Sequence, residues 1–253
     1  MDTGITLNPQ RRAAMIESGA WTDKLITDYL DQAIASTPDR EAIVGYQVTS
    51  DTRGALTYRE LNDRVTRMAT GLAAMGIDKG DLVACQLPNW WQTTALHLAC
   101  IRIGAILNPL MPIFRERELR FMLKHGEAKL LVIPKIFRGF DYEAMIDGIR
   151  GELPNLETLL VIEGEGERSF EQRLMETPWE EKQDTKALFA ERQLSADDAV
   201  QILYTSGTTG EPKGVVHTSN TLLSNVRAFS DRLHLTSNDK ILMASPVAHQ
   251  TGF

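Results

Sequence analysis

Five short apolar runs constrain this chain more than any other feature: "LVACQLP" from Leu82, "AILNPL" from Ala105, "AKLLVIP" from Ala128, "ETLLVIE" from Glu157 and "AVQILYTS" from Ala199. None alternates apolar with polar residues, as a strand wet on one face would. A continuous apolar run of this length reads as a strand buried on both faces. The intervening stretches "NWWQTTALHLACIRIG", "RERELRFMLKHG" and "YEAMIDGIRGEL" have helical character. Strand followed by helix, repeated, predicts an α/β fold whose parallel-rich sheets are covered by helices. No repeat of fixed length accompanies the pattern.

Flanking segments complete the outline. Pro9–Ser18 and Leu25–Ile34 have helical apolar spacing, "EAIVGYQV" reads as a strand, "TSDTRG" as a turn, and "ALTY" as a returning strand. Thr57 and Glu60 stand three apart, as a capping box requires, with hydroxyl and carboxylate each satisfying one free amide. Leu61, Val65, Met68, Leu72 and Met75 then fall on one helical face, and Gly76 ends the helix. Residues 164–198 are polar and rich in acids. They read as one or two surface helices, with Phe170, Leu174, Trp179, Leu188 and Phe189 available for burial. "VVHTS" favours extended structure because valine is β-branched. "SNTLLSNVRAFSDRLHL" reads as a helix capped by Ser219 or Asn220, and "KILMASP" as a further strand. The expected organisation is a helical lead-in over 1–40, an alternating strand/helix region over 41–163, the polar connecting segment over 164–198, and a final region over 199–253.

Charge and composition exclude some functions. The formal net charge is −7 over 253 residues, which argues against a nucleic-acid binder, since such proteins present a basic face to phosphates. Cys85 and Cys100 lack metal-ligand spacing and read as core thiols of a reducing compartment. The first residues contain no apolar stretch of signal-peptide length, and nowhere do 18 apolar residues run unbroken. A cytoplasmic protein without an integral membrane segment is expected. Nothing in the sequence speaks to oligomeric state.

One stretch carries chemistry. "LYTSGTTGEPKGVVH", Leu203 to His217, follows an apolar strand. Its glycines let backbone amides converge and a ligand come close. Thr205, Ser206, Thr208 and Thr209 add hydroxyls, and Lys213 adds a mobile positive charge. Such a set suits a polyphosphate, with its many acceptor oxygens. It is not a P-loop: counted from Gly207, that motif needs glycine and a hydroxyl at positions 212 and 214, where Pro212 and Gly214 stand. A flexible polar surface loop is the bland alternative. Ordered spacing, the single lysine and the buried strand before it weigh against that.

"YTSGTTGEPKG" resembles the phosphate-loop motif of the adenylate-forming superfamily, which includes acyl-CoA synthetases, luciferases and the adenylation domains of peptide synthetases. "LTYRELNDRV", "GDLVACQLPN", "IRIGAILNPLMPIFREREL" and "PVAHQTGF" resemble other family segments in order and spacing. "NPQRRAAMIESGAW" is most similar to bacterial short- and medium-chain acyl-CoA synthetases and cyclohexanecarboxylate-CoA ligases. The resemblance implies the N-terminal part of the large domain of an adenylate-forming enzyme. It further implies an ATP-dependent acid-thiol ligase that joins a carboxylic acid to ATP, releases pyrophosphate, and passes the acyl group to coenzyme A, with Mg2+ neutralising the phosphates.

By the same resemblance Thr205, Ser206, Gly207, Thr208, Thr209 and Lys213 bind the β- and γ-phosphates. Gly210 and Gly214 serve the backbone path, Pro212 stiffens the turn, and His249 lines the acyl-carboxylate pocket. A general-base role for His249 is not implied, because a carboxylate has no proton to lose at neutral pH. No catalytic residue and no metal ligand is assigned. The family's catalytic lysine belongs to a later C-terminal domain, so these residues alone are expected to be inactive. Trp90 and Trp91 are expected to pack or cover an edge, Arg11 and Arg12 to be solvated helix charges, His97 and Cys100 to be core, and "RERELR" to be a charged outer face. Two other readings stand beside the ligase: an adenylation domain or luciferase-like member with another acyl acceptor, and a non-catalytic nucleotide-binding module.

Overall fold

A computed structural model of the chain describes residues 7–47, 52–205, 212–249 and 252. Two helices lead in, α1 (Pro9–Glu17) and α2 (Ile26–Ser36), followed by the antiparallel pair β1 (Glu41–Gln47) and β2 (Thr52–Thr57). The part of the expected turn "TSDTRG" that is described, from Thr52, already belongs to β2. Helix α3 (Tyr58–Ala74) starts on the foreseen capping box, with Thr57 Oγ1 accepting from the Glu60 amide at 3.2 Å and Glu60 Oε2 accepting from the Thr57 amide at 2.8 Å. Leu61, Val65, Met68 and Leu72 are buried on one face. Gly76 follows in the left-handed region, at φ +84°, where only glycine is free of strain.

The remaining order is β3 (Leu82–Cys85), α4 (Trp91–Arg102), β4 (Ile106–Pro109), α5 (Glu116–His125) and β5 (Leu130–Pro134). Then come a small hairpin β6 (Ile136–Phe137) and β7 (Phe140–Asp141), α6 (Tyr142–Ile149), β8 (Thr158–Ile162), α7 (Thr185–Glu191), β9 (Ala199–Thr205), β10 (Lys213–Thr218) and α8 (Ser219–Arg232). Six strands form one sheet in the order β10-β9-β4-β3-β5-β8. β9, β4, β3, β5 and β8 run parallel, and β10 is antiparallel to β9. The α/β sheet expected from the five apolar runs is therefore present, with an antiparallel strand at one edge.

Each strand sends successive side chains to opposite faces, and each face has its own core. Val83, Cys85, Leu107 and Leu130 pack with the buried residues of α3 and α4. Ala84, Ile106, Leu131 and Ile202 pack with Leu119 and Met122 of α5 and Tyr142 and Ile146 of α6. His97 and Cys100 are buried, as expected. Burial pushes the Cys85 thiol up to about 12, and burial together with the neighbouring Cys85 raises Cys100, so neither is a thiolate near neutral pH.

The polar segment 164–198 is anchored on α3. Phe170 and Leu174 are fully buried, while Trp179, Leu188 and Phe189 are half-buried. Trp179 passes so close to α3 that a Cβ at Gly71 would lie 2.8 Å from its Cδ1. Arg67 holds Glu180 at 2.6 Å and the Met175 carbonyl at 2.8 Å.

Four expectations need correction. Residues 240–246 form no strand, and Ile241, Leu242 and Met243 are exposed. A strand needs a neighbour for its amides and carbonyls, and none of the described residues supplies one. Thr218, not Ser219 or Asn220, caps α8, its hydroxyl accepting from the Thr221 amide at 3.2 Å. Asn220 instead donates to Asp23 and Asp197. Arg12 is not merely a solvated charge: it bonds Asp23 at 2.7 Å and Asp197 at 2.5 Å, tying α1 to the approach to β9. "RERELR" is only partly an outer face, since Leu119 is buried and Arg115 stacks 3.9 Å above the Phe140 ring.

Candidate functional site

The stretch singled out by its hydroxyls and glycines links two hydrogen-bonded strands. β9 ends at Thr205, β10 begins at Lys213, and these two residues are partners across the ladder. Thr205 Oγ1 donates to the Lys213 carbonyl at 3.4 Å. Sequence reasoning treated Thr205 and Lys213 as the two ends of one loop, and the register sets them side by side. Both side chains are exposed. Ser206, Gly207, Thr208, Thr209 and Gly210 lie outside the described residues.

Helix α5 braces the root of this hairpin. Tyr204 donates its hydroxyl hydrogen to the Met122 carbonyl at 3.2 Å, and its oxygen lies 3.0 Å from His125 Nδ1. The Met122 carbonyl, in the last turn of α5, also accepts from the Gly126 amide at 3.0 Å. Both contacts are satisfied together when His125 carries its hydrogen on Nδ1. Phe121 stacks on His125 with ring centroids 5.3 Å apart. Burial pushes the Tyr204 phenol up to about 12, so it stays a neutral donor through the physiological range.

Below the hairpin opens a cavity of about 1490 Å3. Thr205 and Pro212 line one part and Ala248 and His249 another. Arg117 and Lys124 of α5 and His217 of β10 add cationic and polar walls. His217 is half-buried, and that burial lowers its pKa, favouring the neutral ring. Arg120, also on the wall, is held by Glu152 at 2.7 Å. Of the expected site residues that are described, Thr205 and His249 border this space although 44 positions separate them, while Lys213 is not among its lining residues.

Sequence reasoning missed the Tyr204–His125–Phe121 cluster and the cavity-facing side of α5. It also missed Asn89, whose side chain grips the backbone of 243–247. Phe121 and His125 stand four apart, which places them on one helix face, but no spacing connects them to Tyr204. Trp90 and Trp91 pack as foreseen: Trp90 meets the Phe137 ring edge-on at 5.9 Å, and Arg64 lies 4.6 Å over Trp91.

Among the described residues no three or more His, Cys, Asp or Glu side chains gather to hold a metal ion. Magnesium commonly keeps most of its waters and binds through substrate phosphates. No helix of the described residues is long and apolar enough to cross a membrane.

Comparison with known proteins bears on the family and the fold. A family described as AMP-binding enzyme matches residues 30–253. The medium-chain fatty-acid–CoA ligase of Escherichia coli K12 is 35% identical over 254 aligned positions, covering 100% of this chain and 43% of that protein. A salicylyl-CoA synthase / salicylate adenylyltransferase of Streptomyces is 31% identical, covering 92% of this chain and 41% of the relative. Among solved structures, apo MbtA of Mycobacterium smegmatis superposes with a TM-score of 0.81 at 27% identity, over 97% of this chain and 44% of its own. The inhibitor-bound N-terminal domain of FACL13 from Mycobacterium tuberculosis gives 0.74 at 28% identity, over 89% of this chain and 52% of its own. The chain thus spans less than half the length of the curated relatives it matches.

Proposed function

The chain belongs to the AMP-binding enzyme family, and from that premise we propose that the protein is an ATP-dependent carboxylic acid–CoA ligase. It forms an acyl-adenylate and then an acyl-CoA. The observation that carries the reading is the shared cavity: the root of the hydroxyl- and glycine-rich hairpin and His249 line the same space.

Activation begins with attack of a carboxylate oxygen on the α-phosphorus of ATP, with pyrophosphate leaving. Positioning and charge stabilisation dominate such a displacement. Thr205, Ser206, Gly207, Thr208 and Thr209 supply hydroxyls and amides to the β- and γ-phosphates. Lys213, set opposite Thr205 by the ladder, neutralises charge as the pyrophosphate departs. His249 borders the pocket for the acid's carboxylate. Magnesium, arriving with the nucleotide, would supply further charge neutralisation. The medium-chain ligase relative supports a fatty acid of that class as substrate. An acyl adenylate meeting a thiol is the second half-reaction, with coenzyme A as acceptor.

The salicylate adenylyltransferase name of another relative favours a second reading, adenylation with a different acceptor. A panel of carboxylic acids, assayed with the protein at its full natural length, tests both. Acid-dependent exchange of pyrophosphate into ATP is expected. AMP release that also requires coenzyme A selects the ligase; AMP release indifferent to it selects the second reading. Lys213→Ala should cut exchange about tenfold or more, the scale of one lost charge-assisted contact. An unchanged rate removes Lys213 from the mechanism.

A further inference from the structure

We propose that Asn89 is a positioning residue for the acid side of the site. Its side-chain amide fixes the peptide around Pro246, and through that peptide the backbone carrying His249. The proposal rests on the ligase reading above and adds a residue to it.

The amide is used at both ends. Asn89 Nδ2 donates to the Ser245 carbonyl at 2.7 Å, and Asn89 Oδ1 accepts from the Val247 amide at 2.9 Å. A longer contact, 3.4 Å, reaches the Met243 carbonyl. The two close partners flank Pro246, which has no N–H of its own to offer. Donating to the carbonyl before a residue and accepting from the amide after it is how one residue engages a neighbour in a parallel ladder. Asn89 thus acts as a one-residue substitute strand for a segment that forms none. Only an amide side chain can do this, since it carries a donor and an acceptor side by side.

Both partners of the clasp are stiff. Asn89 sits on the corner between β3, buried throughout, and α4. The Pro88 carbonyl accepts from the Trp90 amide at 2.6 Å and from Thr93 Oγ1 at 2.9 Å. On the other side, the His249 amide donates to the Pro246 carbonyl at 3.0 Å, and the Gly252 amide donates to the His249 carbonyl at 2.8 Å. Gly252 presses on the same peptide: a Cβ there would lie 2.1 Å from the Pro246 oxygen. His249 is therefore held in a tight turn, with Gly252 closing one side and Asn89 holding the other. Ala248 and His249 reach the cavity from that turn.

The test uses the full natural-length protein and pyrophosphate exchange with octanoate, or with the acid the panel selects. Asn89→Ala should raise the KM for the acid about tenfold, the scale of losing two ordinary hydrogen bonds, while the KM for ATP stays within about twofold. Lys213→Ala should show the opposite split. The Val247 amide should exchange hydrogen faster in Asn89→Ala. Asn89→Ser, too short to span both peptide groups, gives the same readouts if the alanine variant does not accumulate. An unchanged KM for the acid overturns the proposal, as does a parallel rise in both constants with a lowered Tm, which marks a purely structural tie. Wild-type protein without acid-dependent exchange refutes the ligase reading instead. In that event unchanged Val247 exchange in Asn89→Ala overturns the clasp independently.

Discussion

The two edges of the six-stranded sheet are finished in opposite ways. At one edge β8 is buried along most of its length, and the chain folds back over it: Val161 bridges Ser169, and the Gly164 amide donates to the Val161 carbonyl at 3.0 Å. At the other edge the first half of β10 alternates between exposed and half-buried positions, with Val215 38% exposed, and only its last residue, Thr218, is buried. Val226 and Phe229 of α8 and Leu233, just after it, are also exposed, and Leu242 is 89% exposed. Apolar residues are plentiful at both edges. What differs, among the described residues, is whether another segment covers them. The strand pair proposed to flank the phosphates, β9 and β10, lies at this edge. An exposed edge strand invites pairing with another chain, and a charged residue such as Lys213 at its start blunts such pairing.

This contrast can be broken by measurement. The largest effect is expected in the covered part: Leu107→Ala, at a fully buried site between β3 and β9, should cost about 2–5 kcal/mol in urea unfolding. A loss below about 1 kcal/mol would mean that this core is loosely packed.

His97, buried on α4 beside β9, comes next. Desolvation lowers its pKa from 6.5 to about 4, against the opposing pull of a hydrogen bond to the Val200 backbone. Unfolded, the ring takes up its proton near pH 6.5; folded, only near pH 4. The unfolded state therefore binds more protons between these values. The stability contributed by the neutral ring is complete above pH 6.5 and is lost as pH falls through that window. The integrated loss approaches about 3 kcal/mol. Denaturation midpoints recorded from pH 7 to pH 4 should fall more steeply in wild type than in His97→Gln. Parallel curves would remove His97 as the cause.

The smallest effect belongs to the open edge. Phe229→Ser, at a site 55% exposed, should change stability by no more than about 0.5 kcal/mol while lowering self-association in sedimentation. A loss as large as that at Leu107 would show that the edge is covered in solution, and the contrast would fall.

How much of this was legible beforehand varies by residue. The strands of the sheet were readable because burial on both faces leaves an unbroken apolar run, and α3 because Thr57 and Glu60 announce its start. "KILMASP" has the same composition as a strand but forms none, since composition cannot state whether a partner strand is present. Arg12 read as a solvated charge because its partners, Asp23 and Asp197, lie in separate segments. In the candidate site, the hairpin's residue types were conspicuous locally. The bracing of Tyr204 by His125, 79 positions away, and the clasp of Asn89 on Val247, 158 positions away, left no local trace.

The sequence by itself determined the class of fold, the places where the chain turns, and the chemical character of one loop. These depend on side-chain periodicity and backbone freedom, which act over a few residues. Only the tertiary structure decided that Thr205 stands opposite Lys213, that His249 lines the same cavity as Thr205, and that an asparagine substitutes for a missing strand. Those facts depend on register and on which segments meet. Side-chain patterns constrain such choices only through the sum of all contacts, and no single stretch of residues records them.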